Sequence, residues 1–178
     1  MSTPPADYMQ QAPRELQELY QSALRGDLLA VRELFAHRPE MLRVFLQHYG
    51  TVGARLDRRT YEVVYLRISR LNGCSSCIQA HRESSKWVGL TPAHWQALDA
   101  GDHTMFDPKE RAALRFAEKL AREPQKVDAS DIAAVRKHLA PEQTVDLQLL
   151  VELANLASRL PDPLAADLKG PKARIPLE

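Results

Sequence analysis

The chain is short of cysteine and glycine, with two and seven respectively in 178 residues, and its formal net charge is only +1. Each scarcity excludes something. Balanced acidic and basic residues leave no electrostatic footprint for nucleic acid. Apolar residues make up 44% of the chain, yet no run approaches the ~20 consecutive apolar residues that span a bilayer. The opening residues, Met1-Ser2-Thr3-Pro4-Pro5-Ala6-Asp7, show neither the basic start nor the apolar stretch of a signal peptide. A soluble, cytoplasmic protein without membrane or nucleic-acid partners is therefore expected. In a reducing compartment two cysteines do not make a structural staple, so a reactive or metal-binding pair becomes the better reading. The length fits one domain with a full hydrophobic core and a short extension.

Alternating β-branched residues are scarce too, and helical spacing takes their place. Leu16, Leu19, Tyr20 and Ala23 form one stripe that stops at Gly26, and Val31, Leu34 and Phe35 form a second after Asp27. Met41, Leu42, Phe45 and Leu46 continue into a helix that ends at Gly50. Asp57 is placed to cap a longer helix carrying Tyr61, Val64, Tyr65 and Ile68, which Asn72-Gly73 stops. The spacing predicts further helices from Cys74 to Val88, from Pro92 to Leu98, and after Asp107 with Ala113, Leu114, Phe116, Ala117 and Leu120. Another runs from Ser130 or Asp131 to Leu139. Pro141 opens the last, with Val145, Leu149, Leu150, Leu153, Ala154 and Leu156 as its apolar face. The fold class is all-α.

Chemistry concentrates in the run Asn72-Gly73-Cys74-Ser75-Ser76-Cys77-Ile78-Gln79-Ala80-His81, with Glu62 twelve residues before the first cysteine. With Cys74 in the first turn of a helix, Cys74, Cys77 and His81 share one face. Cys77 and His81, at i and i+4, then lie close enough for imidazole to meet thiol directly or through one water. Free N–H groups at a helix N-terminus favour a thiolate. A Cys-x-x-Cys pair lets one sulfur attack and the other resolve the product as a disulfide. If the preceding helix folds back antiparallel, the Glu62 carboxylate reaches His81 and orients its ring.

Plainer readings stand beside this one. Two cysteines can be small buried apolar residues with His81 a satisfied core histidine, and Cys74, Cys77, His81 and Glu62 could supply four zinc ligands. Haem attachment would need histidine where Ile78 stands, and a thioredoxin motif would need flanking strands. Outside the cluster, His37, His48, His94, His103 and His138 have no second ligand at helical spacing and are expected at the surface. Trp87 and Trp95 are expected in the core or a subunit interface, or as an aromatic wall beside the thiols. Arg55, Arg58, Arg59, Arg67 and Arg70 read as a solvated helix face. Ser84 and Ser85 lack a companion base and acid, which disfavours a hydrolase.

The pattern Glu62, eleven residues, Cys74-Ser75-Ser76-Cys77, three residues, His81 resembles the signature of the AhpD-like alkylhydroperoxidases in the carboxymuconolactone decarboxylase superfamily. Leu56-Asp57-Arg58-Arg59, Leu71-Asn72-Gly73, Gly89-Leu90-Thr91, Glu110 to Leu114 and Asn155 to Arg159 agree with it. The resemblance covers 38–168, leaving 1–37 as an N-terminal helical extension and 169–178 as a tail. It implies helical hairpins packed between subunits in a homo-oligomer, whether dimer, trimer or hexamer. It also implies thiol-dependent reduction of a hydroperoxide, without cofactor or metal. By that similarity Glu62 and His81 relay a proton from Cys77, which attacks the peroxide. Cys74 closes the disulfide, and a dithiol, lipoyl or thioredoxin-like donor reopens it. Ser76 stands where characterised members often carry a histidine, which implies slower turnover. Lactone decarboxylases of the superfamily lack the cysteine pair. The rival class is a non-enzymatic redox sensor or disulfide-exchange module.

Overall fold

The computed structural model describes residues 39–159. The stripes expected before Pro39, His37, the tail and the outer limits of the core domain lie outside the described residues. Among those described, the regular structure is entirely helical. The seven α-helices are α1 (Pro39–Gly53), α2 (Arg58–Leu71), α3 (Ser75–Lys86), α4 (Pro92–Ala100), α5 (Pro108–Arg122), α6 (Ala129–Arg136) and α7 (Pro141–Arg159). A single 3₁₀ turn, Pro124–Lys126, links α5 to α6.

Side chains punctuate these helices as capping chemistry requires. Asp57 accepts the Thr60 amide at 2.9 Å to open α2, and Asp107 and Glu110 form a reciprocal capping box at the start of α5. Gly73, Gly89 and Gly101 take φ of +68°, +77° and +71° where the chain leaves α2, α3 and α4, the left-handed conformation that only glycine adopts without strain. The helix expected from Ser130 or Asp131 begins earlier. Asp128 accepts the Ser130 and Asp131 amides, so capping sets in two residues before the apolar pattern shows.

Helix α2 lies at the centre, packed against α3, α4, α5 and α7. Every residue from Thr60 to Ser69 is buried. Tyr61, Val64, Tyr65 and Ile68 face one apolar cluster shared with α1, α5 and α7. Val63 and Leu66 face a second, made with Leu90, Ala97, Leu98, Phe106 and Leu114. A helix covered on both sides has no wholly solvated face, and this corrects the reading of its arginines. Arg59 bonds Glu110 Oε1 at 2.6 Å, Arg67 bonds Glu118 and, at 2.5 Å, the Leu98 carbonyl, and Arg70 pairs with Asp99. They clamp α2 to α4 and α5. Arg55 is exposed, as expected.

Two further expectations are narrowed. Of the places expected for Trp87, its 92% exposure in this chain excludes the core but not a subunit interface or a wall beside the thiols; it follows the last turn of α3, where the chain swings toward Gly89. Trp95 is packed, its indole N–H donating to Ser85 Oγ at 3.1 Å. On α7, Leu150, Leu153 and Ala154 are buried but Val145, Leu149 and Leu156 are 56%, 40% and 46% exposed. The apolar residues of α7 thus form two faces, and only one meets this chain's core. No helix among the described residues is long and apolar enough to cross a membrane.

Candidate active site

The α2–α3 turn creates the site. Asn72 ends α2, Gly73 reverses the chain, and Cys74 caps α3 with its own sulfur, which accepts the Cys77 amide at 3.3 Å. Cys74 therefore sits just outside the helix rather than in its first turn. The capping bond stabilises negative charge on Cys74 most directly, so helix geometry alone does not single out Cys77. Burial separates the two cysteines, since Cys74 is 1% exposed and Cys77 is only half-buried. They are joined as a disulfide with a Cα–Cα distance of 5.4 Å, inside the range such a bridge requires. Asn72 is held from α7, donating from Nδ2 to Asn155 Oδ1 at 2.9 Å and accepting from Arg159 Nε at 3.2 Å.

Helices α2 and α3 pack together, which carries Glu62 to His81. Glu62 Oε2 lies 2.7 Å from His81 Nδ1, and the carboxylate is fully buried. Its other oxygen is 2.6 Å from Arg58 Nη2, one turn back on α2. The Arg58 contact is close but not aligned as a hydrogen bond. His81 is 6% exposed and stacks on Tyr65 with ring centroids 3.7 Å apart and planes inclined by 17°.

The second imidazole nitrogen is also engaged. Nε2 lies 2.8 Å from the Tyr49 hydroxyl on α1. Both ring nitrogens have partners, so of the two forms of His81–Cys77 contact expected from i,i+4 spacing, direct or through one water, the direct one is not formed. Tyr49 is the residue that sequence reasoning missed. Its signal was present, because Tyr49 is four residues after Phe45 and extends the apolar stripe of α1, but that stripe gives no hint of a polar partner. Burial lifts the Tyr49, Tyr61 and Tyr65 phenols above their usual range, with the Glu62 charge adding to the effect. All three hydroxyls therefore stay protonated.

Ser76 turns its hydroxyl toward Cys74, with Oγ 3.4 Å from that sulfur. Nor are the other histidines all simple surface residues. His103 pairs with Glu118 at 2.9 Å, and His94 Nδ1 accepts the Thr91 amide at 3.2 Å to cap α4. Among the described residues no three or more His, Cys, Asp and Glu side chains are grouped to hold a metal ion. A groove of about 340 Å³ between α5 and α6 is lined by Arg111, Arg115, Phe116 and Lys137, among others, and by none of the four candidate residues.

Comparison with known proteins agrees with this architecture. Residues 39–119 match the carboxymuconolactone decarboxylase family. The uncharacterized protein YdfG of Bacillus subtilis (strain 168) is 31% identical over 125 residues, which is 68% of this chain and 85% of YdfG. An uncharacterized peroxidase-related protein from Ralstonia eutropha JMP134, with an alkylhydroperoxidase AhpD core, superposes with a TM-score of 0.74 at 20% identity. That match covers 94% of this chain and 88% of the other. An uncharacterized peroxidase-related protein from Silicibacter sp. TM1040 gives a TM-score of 0.75 at 20% identity, covering 97% and 90%.

Proposed function

We propose that this chain, which belongs to the carboxymuconolactone decarboxylase superfamily and has its AhpD-like fold, reduces hydroperoxides through the Cys77/Cys74 pair. The observation that carries the reading is a disulfide at the N-terminus of α3 beside a buried His81–Glu62 hydrogen bond of 2.7 Å. A carboxylate behind Nδ1 holds the imidazole in the form that can take a proton at Nε2. Cys77 is assigned as the attacking thiol because it is the less buried residue of the pair. Its lone pair takes the terminal peroxide oxygen, the O–O bond breaks, and the alcohol leaves with the proton that Cys77 gave up. Cys74 then displaces hydroxide from the Cys77 sulfenic acid, releasing water and forming the disulfide. A dithiol, whether lipoyl or on a thioredoxin-like protein, reduces it by exchange.

Prereduced protein treated with cumene hydroperoxide should lose two thiols per chain. Cys74→Ser should yield a trappable sulfenic acid at Cys77, whereas Cys77→Ser should yield none. A protein whose thiols survive the peroxide sinks the proposal. Repeated turnover with dihydrolipoamide separates an enzyme from a redox sensor, which would oxidise once per reduction.

The family's homo-oligomer is supported by α7. Val145, Leu149 and Leu156 are exposed and fall within roughly 40° of one another around the helix. They offer a second copy an apolar stripe. Sedimentation should give a mass above the 20.1 kDa chain, and Leu149→Glu with Leu156→Glu should lower it. A monomeric wild type contradicts this part.

A further inference from the structure

The bond between His81 Nε2 and Tyr49 changes the route of the proton. The Glu62 carboxylate, ion-paired with Arg58, can only accept from His81, so Nδ1 is the donor in that pair. A neutral imidazole then has only a lone pair at Nε2, and the 2.8 Å contact requires the Tyr49 hydroxyl to donate. The base position of His81 is thereby covered by a phenol rather than facing sulfur. Tyr49 and Cys77 both lie partly buried at the rim of the same apolar cluster, and the Tyr49 ring is wedged against Tyr61, Tyr65 and His81 at centroid distances of 6.3, 5.9 and 6.4 Å. Ser76, the other hydroxyl near the sulfurs, is turned to Cys74. Among the described residues, Tyr49 is the hydroxyl bonded to the His81 ring.

We infer that Tyr49 is a catalytic residue that ends the chain Glu62–His81–Tyr49, its hydroxyl passing the proton between His81 and the reacting thiol and peroxide. This rests on the peroxide reading above. As the Cys77 thiol loses its proton to the Tyr49 oxygen, the phenol gives its own proton to Nε2. The sulfur attacks, the O–O electron pair goes to the leaving alkoxide, and the same proton returns from Nε2 through Tyr49 to make the alcohol. Sulfur is oxidised by two electrons, the peroxide is reduced by two, and His81 and Tyr49 end as they began. The phenol is never an anion at rest, which suits a group that must carry a proton in both directions.

The test uses prereduced full-length protein, wild type and Tyr49→Phe, with two readouts per cysteine by mass spectrometry. One is the rate of Cys77 oxidation by cumene hydroperoxide. The other is the pH profile of Cys77 alkylation by iodoacetamide, which needs no peroxide. Tyr49→Phe should oxidise about 100-fold more slowly and shift the alkylation profile. A fluorotyrosine at position 49, which keeps the hydroxyl and the ring, should restore the rate. If Tyr49→Phe matches wild type in both rate and profile, the relay is overturned while the peroxide reading stands. If the fluorotyrosine protein is as slow as Tyr49→Phe, the ring's packing was at fault and the relay is likewise overturned. If wild type ignores the peroxide but Tyr49→Phe still shifts the alkylation profile, the relay holds and the peroxide reading fails.

Discussion

Replacing Glu62 with glutamine tests how the site is held, because it changes charge without changing volume. The carboxylate is fully buried and has two partners, His81 Nδ1 at 2.7 Å and Arg58 Nη2 at 2.6 Å. The partners differ in what they lose. The Arg58 side chain is 51% exposed, so its head can turn to water, and its share is about 0–1 kcal/mol. His81 cannot turn away, since it is stacked on Tyr65 and buried. An amide facing His81 with its oxygen leaves its NH₂ group against Arg58. Flipped, it forces Nδ1 to accept and Nε2 to donate toward Tyr49. The loss is thus a hydrogen bond to a charged group, about 1.5–3 kcal/mol. In a chain of this size that lowers Tm by roughly 3–12 °C. Differential scanning calorimetry at neutral pH reads the stability, and stopped-flow peroxide oxidation of Cys77 should fall about 100-fold. A Tm equal to or above wild type would mean that desolvation of the carboxylate outweighs its pairing, and the reasoning about what holds His81 would be refuted.

Other outcomes follow from the helices that carry the site. Asp57→Ala removes the cap of α2 and should cost about 1 kcal/mol. Burial works against the charged form of Asp57, but bonds from Lys109 and Thr60 hold its carboxyl below the usual range. A lowered folded pKa gives stability that is present above the unfolded value of about 3.9 and is lost as pH falls through the folded one. Melting curves of wild type and variant should therefore converge in acid, and a gap unchanged at low pH contradicts the assignment. Gly101→Ala should cost more than Gly73→Ala. Both positions have positive φ, for which a Cβ costs about 1–2 kcal/mol, but only at Gly101 would it fall 2.7 Å from Arg67 Nη2. Equal denaturation midpoints for the two would show that Arg67 gives way freely. Trp87→Ala should leave stability within about 0.5 kcal/mol of wild type and remove the red-shifted part of the tryptophan emission, and a large Tm loss would mean its exposed ring is packed in solution.

The helices were legible because their ends carry explicit chemistry. Asp57, Asp107, Pro141 and the turn glycines mark boundaries that need no tertiary information. Faces were harder to read. Periodicity assumes one wet side, and α2 has none, so Arg59, Arg67 and Arg70 looked solvated until their carboxylate and carbonyl partners on α4 and α5 were placed. On α7 the same assumption put Val145, Leu149 and Leu156 into a core that their helix can reach only from its other side. Within the site, Cys74, Cys77, His81 and Glu62 could be named from spacing, because the α2–α3 turn is short and fixes which residues meet. Tyr49 could not, because it arrives from α1 across a gap of thirty-two residues and a tyrosine in an apolar stripe reads as packing.

The division of labour between helices explains how one site could serve both halves of a redox cycle. The sulfurs belong to the cap and first turn of α3, whereas His81 lies four residues beyond Cys77 and is tied to α2 through Glu62 and to α1 through Tyr49. Opening or closing the disulfide rearranges the cap, where Cys74 and the Cys77 amide meet. It does not require the imidazole to move, because neither of its bonds is made to the segment that changes. The rotation of α2 is in turn fixed by Asp57 at its start and by the arginine clamps along its far side. A one-residue slip of α2 would swing Glu62 by about 100° and strand both His81 and Arg58. The arginines that looked like surface are thus part of what aims the carboxylate.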